Sequence, residues 1–192
     1  WFSSLRGIDL REAELIERQI DRELNCPLNS SMGRLFDAVS ALLGVRQEID
    51  YEGQAAVELE MAAREGDESQ ECYPYGLNDA GGVKVILLSA LLSAVVEDLR
   101  QHTPTGIIAS KFHNTIVRMV REVCRLLSES TGVKNIALSG GVFQNRLLLP
   151  RVVSSLESEG FSVFTHRQVP CGDGGISLGQ AAVASFSQED TR

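Results

Sequence analysis

The sequence predicts an α/β protein: a helix-rich body with a short parallel β-α-β unit near the C-terminus. Three observations point there. Apolar residues recur at helical spacing through most of the chain up to about residue 128. Two short apolar runs, 135–139 and 161–165, flank one further helical stretch, the order of a parallel crossover. Each run leads to a glycine turn, Gly140-Gly141 after the first and Gly174-Gly175 after the second.

The elements follow in order. Asp9 is placed to cap a helix whose apolar positions are Leu10, Ala13, Ile16, Ile20 and Leu24, with Pro27 beyond its end. A second helix starts near Ser31, buries Leu35, Phe36, Val39, Leu42 and Leu43, and stops at Gly44. A third covers about Gly53 to Arg64 and stops at Gly66. The polar stretch Gly66 to Gly82 reads as a loop holding a strand near Cys72–Leu77, and Asn78–Gly82 turns it into a second strand near Val83–Ile86. A fourth helix covers Leu88 to Gln101. Thr103 then serves as N-cap and Pro104 as first helical residue of a long helix that ends at Thr131-Gly132. Residues 135–139 form a strand, Gln144–Glu159 a helix stopped by Gly160, Phe161–Thr165 a second strand, and Ile176–Phe186 the last helix.

Composition narrows the function. The chain has 192 residues, 43% of them apolar, and a net charge of −8, which suits a globular protein with a real core. An acidic chain without a basic run argues against nucleic acid as a partner. Val83–Val96, the longest apolar-leaning stretch, is too short and interrupted to cross a membrane, and no signal peptide opens the chain. Cys26, Cys72, Cys124 and Cys171 lack CxxC or zinc-finger spacing, so they read as reduced thiols of a cytoplasmic protein. A start at Trp1 rather than Met gives the expectation of a piece of something longer.

Chemistry concentrates at the turns. In Ser139-Gly140-Gly141-Val142-Phe143-Gln144-Asn145 a buried strand ends on two glycines and a helix follows. Glycine lets an anion approach the backbone, and the first helical amides have no internal acceptors. Asn145 would add a side-chain bond to a phosphate or ribose. The same residues also serve as a plain tight turn, and local pattern leaves the two readings even. Asp173-Gly174-Gly175 repeats the arrangement; Asp173 is either a cation ligand or a helix N-cap. Asp37, beside Phe36, either accepts from ribose hydroxyls or is an ordinary exposed helix carboxylate. His102, His113 and His166 share no ligand spacing; His113 is expected to be structural and His166 to lie at the surface.

Taken together, Ser31-Met32-Gly33-Arg34-Leu35-Phe36-Asp37-Ala38-Val39, Tyr51-Glu52-Gly53-Gln54-Ala55-Ala56, Phe112-His113-Asn114, Ser139 to Asn145, Val169-Pro170 and Asp173-Gly174-Gly175 resemble one family. It is the HypF family, the carbamoyltransferases of nickel–iron hydrogenase maturation. The resemblance covers nearly the whole chain and is weakest over Gly66 to Gly82. It implies a lobe of the actin/Hsp70/sugar-kinase (ASKHA) fold. Residues 1–192 would be the C-terminal lobe of a threonylcarbamoyl-transferase-like domain, with the N-terminal lobe and upstream domains outside this chain. It implies ATP and Mg2+ as cofactors, carbamoyl phosphate as carbamoyl donor and carbamoyl adenylate as intermediate. The partner implied is HypE, whose C-terminal cysteine thiol receives the carbamoyl group on the way to a cyanide ligand. Carried over residue by residue, Gly140, Gly141 and Asn145 match the nucleotide-binding turn, and Asp37 matches a nucleoside-binding Asp. Gly53 matches a nucleotide-contacting glycine, although Gln54 replaces its second glycine. Asp173 matches the Asp that, with two histidines, holds an Fe or Zn ion. Those histidines form an HxxxH pair that this sequence lacks, so the metal site here is at most one ligand deep. The resemblance therefore implies an inactive isolated chain. Two other readings use the same turns: a phosphoryl-transferring kinase or ATPase lobe, and a non-enzymatic, nucleotide-gated docking module.

Overall fold

The computed structural model describes residues 9–66 and 70–189. The chain divides into two compact units, one ending at Ala62 and the other beginning at Ala63.

In the first unit, α1 (Leu10–Asp21) starts at Asp9, whose carboxylate accepts the Arg11 N–H at 3.0 Å. Ser31 does the same for α2 (Met32–Leu42), accepting the Arg34 N–H at 3.4 Å. Leu35, Phe36 and Val39 of α2 are buried, as their spacing predicts. The stripe of α1 behaves otherwise: Ile16 and Ile20 are exposed. After α2, Arg46 makes a bidentate bond to Glu58 of α3 (Gln54–Glu65), at 2.9 and 2.5 Å. That guanidinium holds the Glu58 carboxyl below its ordinary range.

The second unit is built on three helices. After the antiparallel hairpin β1 (Gly76–Ala80) and β2 (Val83–Leu87) come α4 (Ser89–Arg100) and the long α5 (Thr105–Thr131). Strand β3 (Asn135–Leu138) leads through a 3₁₀ turn (Gly141–Gln144) to α6 (Leu148–Ser158), and β4 (Ser162–Thr165) returns parallel to β3. A second 3₁₀ turn (Asp173–Gly175) opens the last helix, α7 (Ile176–Glu189). The core joins Leu91 and Val95 of α4, Ile108, Phe112, Ile116 and Met119 of α5, and Leu148, Val152 and Leu156 of α6. Ile176, Leu178, Val183 and Phe186 of α7 are exposed. Among the described residues, no helix is long and apolar enough to cross a membrane.

Several boundaries differ from the sequence expectation, each for a local reason. The first β-strand lies later than Cys72–Leu77. Tyr73 is buried and its N–H donates to Thr115 Oγ1 at 2.7 Å, which removes it from any ladder. Asn78–Ala80 join the ladder instead, because Gly81 and Gly82, at φ 65° and 89°, make a two-residue turn, with the Gly82 N–H donating to Asp79 Oδ1 at 2.8 Å. α5 starts at Thr105, with Pro104 as its N-cap. Thr103 belongs to the end of α4, where its N–H donates to Asp98 O at 3.0 Å. The helix expected from Gln144 starts at Leu148, because residues 141–144 form the 3₁₀ turn.

Among the described residues, α1, α2, α4 and α6 end alike. The residue after the C-cap takes a left-handed conformation, and the next N–H reaches back to the third-last helical carbonyl. Gly44 and Gly160 fill that position in α2 and α6, but Glu23 and His102 fill it in α1 and α4. A side chain there carries a steric cost of roughly 1–2 kcal/mol.

A polar cluster ties the segment before the hairpin to α4 and α5. Tyr73 Oη donates to Asp98 at 2.6 Å, and Lys111 Nζ donates to Asp98 at 2.8 Å. Lys111 also pairs with Glu71 at 3.1 Å and lies 4.8 Å above the Tyr73 ring. Burial, then the Asp98 bond, pushes the Tyr73 phenol well up. Burial pulls the Asp98 carboxyl up, but its bonds from Lys111 and Tyr73 outweigh that and leave it below its ordinary 3.8. Lys111 is held above 10.5 by the converse balance.

Two outcomes are expected. His102→Gly raises stability by about 1 kcal/mol in urea unfolding, since glycine takes the left-handed position without strain. The folded carboxyl of Asp98 is depressed, so its contribution is present above its unfolded value and fades as pH falls below 3.8. Urea unfolding at pH 3 and pH 7 then gives a smaller pH difference for Asp98→Asn than for the unaltered chain.

Candidate functional site

The site forms where β3 and β4 end. Ser139 follows β3 and His166 follows β4; His166 Nε2 and Ser139 Oγ are 3.0 Å apart, bridging the carboxyl ends of the pair. The two glycine turns leave from this edge and are bonded to each other. The Gly140 N–H donates to the Cys171 carbonyl at 2.7 Å. Gly172 sits so close that a Cβ there would lie 2.9 Å from Gln144 Nε2 and 3.6 Å from Gly141 Cα.

Gly140 has φ 106° and ψ 155°, a conformation open to glycine alone. A Cβ at Gly140 or Gly141 would meet nothing within 4 Å, so the outer side of this turn is open. The Gly140 amide, expected to face a ligand, is spent on Cys171. The Gly141 and Val142 amides that open the 3₁₀ turn have no acceptor among the described residues. These two N–H groups fit an anion such as a nucleotide phosphate.

Asn145 has a different task from the one expected. It ends the 3₁₀ turn rather than sitting inside a helix. Its Oδ1 accepts the N–H groups of Leu147 at 3.0 Å and Leu148 at 2.8 Å, capping α6. Its Nδ2 lies 3.0 Å from His113 Nε2, leaving one amide hydrogen for a ligand. His113 is fully buried, and its Nδ1 is 2.7 Å from the Ala109 carbonyl. His113 is structural, as expected, but its connection to the turn was not visible in the histidine spacing. Its neighbour Asn114 donates to Glu71 O at 3.2 Å and accepts from Arg151 at 2.6 Å. Burial lowers the Arg151 guanidinium from its usual value.

Asp173 is exposed at the head of its turn and makes no capping bond there. Among the described residues no three His, Cys, Asp or Glu side chains gather as a metal site. A lone exposed carboxylate does not fit a transition metal by itself, since ligand number sets affinity. Between the two turns and the strand ends lies a hollow of about 430 Å³ lined by Leu138, Phe143, Gln144, Thr165, His166 and Cys171 among others. Gly140, Gly141, Asn145 and Asp173 border this region without lining the hollow itself.

Asp37 and Gly53 lie in the first unit. Asp37 is half-buried on α2 and pairs with Arg34 at 3.2 Å, so it is not a bare carboxylate. Gly53 precedes α3 at φ 81° with open space beside it. Gln54, which stands in place of a second glycine, is buried; it accepts the Asp50 N–H at 2.7 Å and donates to Glu58 at 3.1 Å.

Fold and turns together define a helix-rich α/β lobe with small sheets. Residues 4–180 match the family described as "Carbamoyltransferase, Kae1-like Domain, second subdomain". The chain belongs to the HypF carbamoyltransferase family. It is 37% identical over 163 residues to a carbamoyltransferase HypF of Synechocystis, covering 85% of this chain and 20% of the relative. It is 33% identical over 170 residues to a probable carbamoyltransferase HypF of Methanocaldococcus jannaschii, covering 88% of this chain and 22% of that one. A crystal structure of full-length HypF in the phosphate- and nucleotide-bound form superposes with a TM-score of 0.89 at 44% identity, over 95% of this chain and 24% of that one. The crystal structure of T. kodakarensis HypF gives a TM-score of 0.77 at 29% identity, over 94% of this chain and 23% of that one. The chain thus spans about a quarter or less of the length of these relatives.

The turn geometry generates a graded expectation. A Cβ at Gly175 would lie 2.5 Å from the Pro170 carbonyl oxygen, whereas one at Gly174 would lie an ordinary 3.4 Å from Pro170 Cγ. Gly175→Ala and Gly140→Ala each cost about 1–3 kcal/mol in urea unfolding. Gly174→Ala stays within about 0.5 kcal/mol of the unaltered chain.

Proposed function

We propose that this chain is the nucleotide-side lobe of an ATP-dependent carbamoyltransferase. The reading takes it as half of an ASKHA fold whose other lobe and upstream domains lie elsewhere in a longer cytoplasmic polypeptide. The whole enzyme moves the carbamoyl group of carbamoyl phosphate, through carbamoyl adenylate, to the C-terminal cysteine thiol of HypE. The observation that carries this is the open Gly141–Val142 amide pair on a glycine turn locked to its neighbour by the Gly140–Cys171 bond. Two amides without an acceptor among the described residues, on a turn already fixed by its own bonds, favour a phosphate over water. The relative crystallised with phosphate and nucleotide supports the same class of ligand.

On this reading ATP brings its own Mg2+ and supplies the activating adenylate. This chain's residues bind and orient. The Gly141 and Val142 amides hold phosphate oxygens and the spare Asn145 hydrogen meets the nucleoside; Asp37 is proposed as a nucleoside ligand on the family resemblance alone. Asp173 stands as one ligand of a cation site that needs the other lobe. The nucleophile is the partner's thiolate, so no cysteine here has to be activated. Burial pushes the Cys72 and Cys124 thiols up, away from thiolate, in keeping with bystander roles.

Calorimetric titration of the chain with ATP tests the reading. Binding is expected, weakened about tenfold or more by Asn145→Ala and less by Asp37→Ala, whose carboxylate already pairs with Arg34. Absence of ATP binding to the unaltered chain would sink the proposal. In the longer polypeptide, carbamoyl-phosphate-dependent ATP turnover with HypE distinguishes carbamoyl from phosphoryl transfer.

A further inference from the structure

We infer that His113 is a positioning residue: a buried imidazole on α5 that fixes the glycine turn through Asn145. The inference rests on the nucleotide reading of that turn and adds a residue to it.

The hydrogen bonds fix the protonation of the ring. The Ala109 carbonyl, 2.7 Å from Nδ1, can only accept, so Nδ1 carries the hydrogen. The neutral ring then presents a lone pair at Nε2, 3.0 Å from Asn145 Nδ2, which donates to it. This in turn fixes the Asn145 amide. With its nitrogen held by His113, its oxygen faces α6 and accepts the Leu147 and Leu148 N–H groups. A flipped amide would set NH2 against those two N–H groups and oxygen against the Nε2 lone pair. One unbroken series therefore runs from the α5 backbone to the residue that ends the 3₁₀ turn. His113 is fully buried, and it reaches the turn through Asn145. The open amides of Gly141 and Val142 lie at the other end of that turn, and their aim depends on where Asn145 anchors it.

Two polar replacements separate the links. In His113→Asn the shorter amide still donates to the Ala109 carbonyl but does not reach Asn145. In His113→Gln the amide oxygen reaches the Nε2 position and accepts from Asn145. ATP affinity is read by calorimetry, and amide exchange of Leu147 and Leu148 is read alongside. His113→Asn is expected to weaken ATP binding about tenfold and to speed exchange at both amides by a similar factor, the loss of one buried hydrogen bond. His113→Gln is expected to stay within about twofold of the unaltered chain in both. If the unaltered chain binds ATP and His113→Asn binds it equally well, the positioning role falls and the nucleotide reading stands. If the unaltered chain does not bind ATP, the nucleotide reading falls and takes with it any role of His113 in ligand binding. Nitrogen NMR of the unaltered chain supplies a check that needs no variant to fold: a hydrogen on Nε2 rather than Nδ1 overturns the inference.

Discussion

A single backbone hydrogen bond, from the Gly140 N–H to the Cys171 carbonyl, organises the carboxyl edge of the β3–β4 pair. It spans two turns some thirty positions apart in the chain and leaves no room for side chains between them. Gly172 meets Gln144 and Gly141 there, and Gly175 meets the Pro170 carbonyl. The glycines of this region thus answer three separate demands. Gly140 supplies a backbone conformation, Gly172 and Gly175 supply clearance, and Gly141 leaves its outer side open. The Ser139–His166 contact lies at the same edge, so both strand ends are tied as well as both turns.

Behind this edge stands α5. Three consecutive residues of that helix point to different tasks. Phe112 fills the core, His113 reaches Asn145, and Asn114 bridges Glu71 and Arg151. Consecutive helical residues are about 100° apart around the axis, so one short segment can serve the core, the turn and the segment before the hairpin at once. Lys111 and Thr115 extend the last of these tasks through Asp98 and the Tyr73 backbone. The close approach of Gly66 to Gly106 at the start of α5 excludes any side chain at Gly66, where a Cβ would sit 2.2 Å from the Gly106 backbone.

Much of this architecture was legible in the sequence, and the exceptions share a cause. Helices were legible because their signals are local: Asp9 and Ser31 cap, Gly44 and Gly160 stop, and Phe36, Val39, Phe112 and Leu156 keep the period. The parallel pairing of residues 135–138 with 162–165 was legible for the same reason. The misplaced boundaries involve polar residues with a choice of partner. Thr103 could cap the helix ahead or close the helix behind, and it closes α4. Asn145 caps α6 with its oxygen and meets His113 with its nitrogen, a partner far away in sequence and adjacent only in the fold. Asp37, expected to accept from ribose hydroxyls or to be an ordinary exposed carboxylate, pairs with Arg34, three residues back on the same helix face. Hydrophobic period carries no record of such choices, because they depend on donors and acceptors that folding brings together.

The capping of α6 by Asn145 has a thermodynamic side. Both lone pairs of that amide oxygen are engaged by backbone N–H groups of the chain itself. The conformational entropy of the 3₁₀ turn is therefore surrendered during folding, so the anion of the proposed reading would have little left to freeze. On the proposed reading, such a loop recognises by rigid fit, through a shape set long before any encounter.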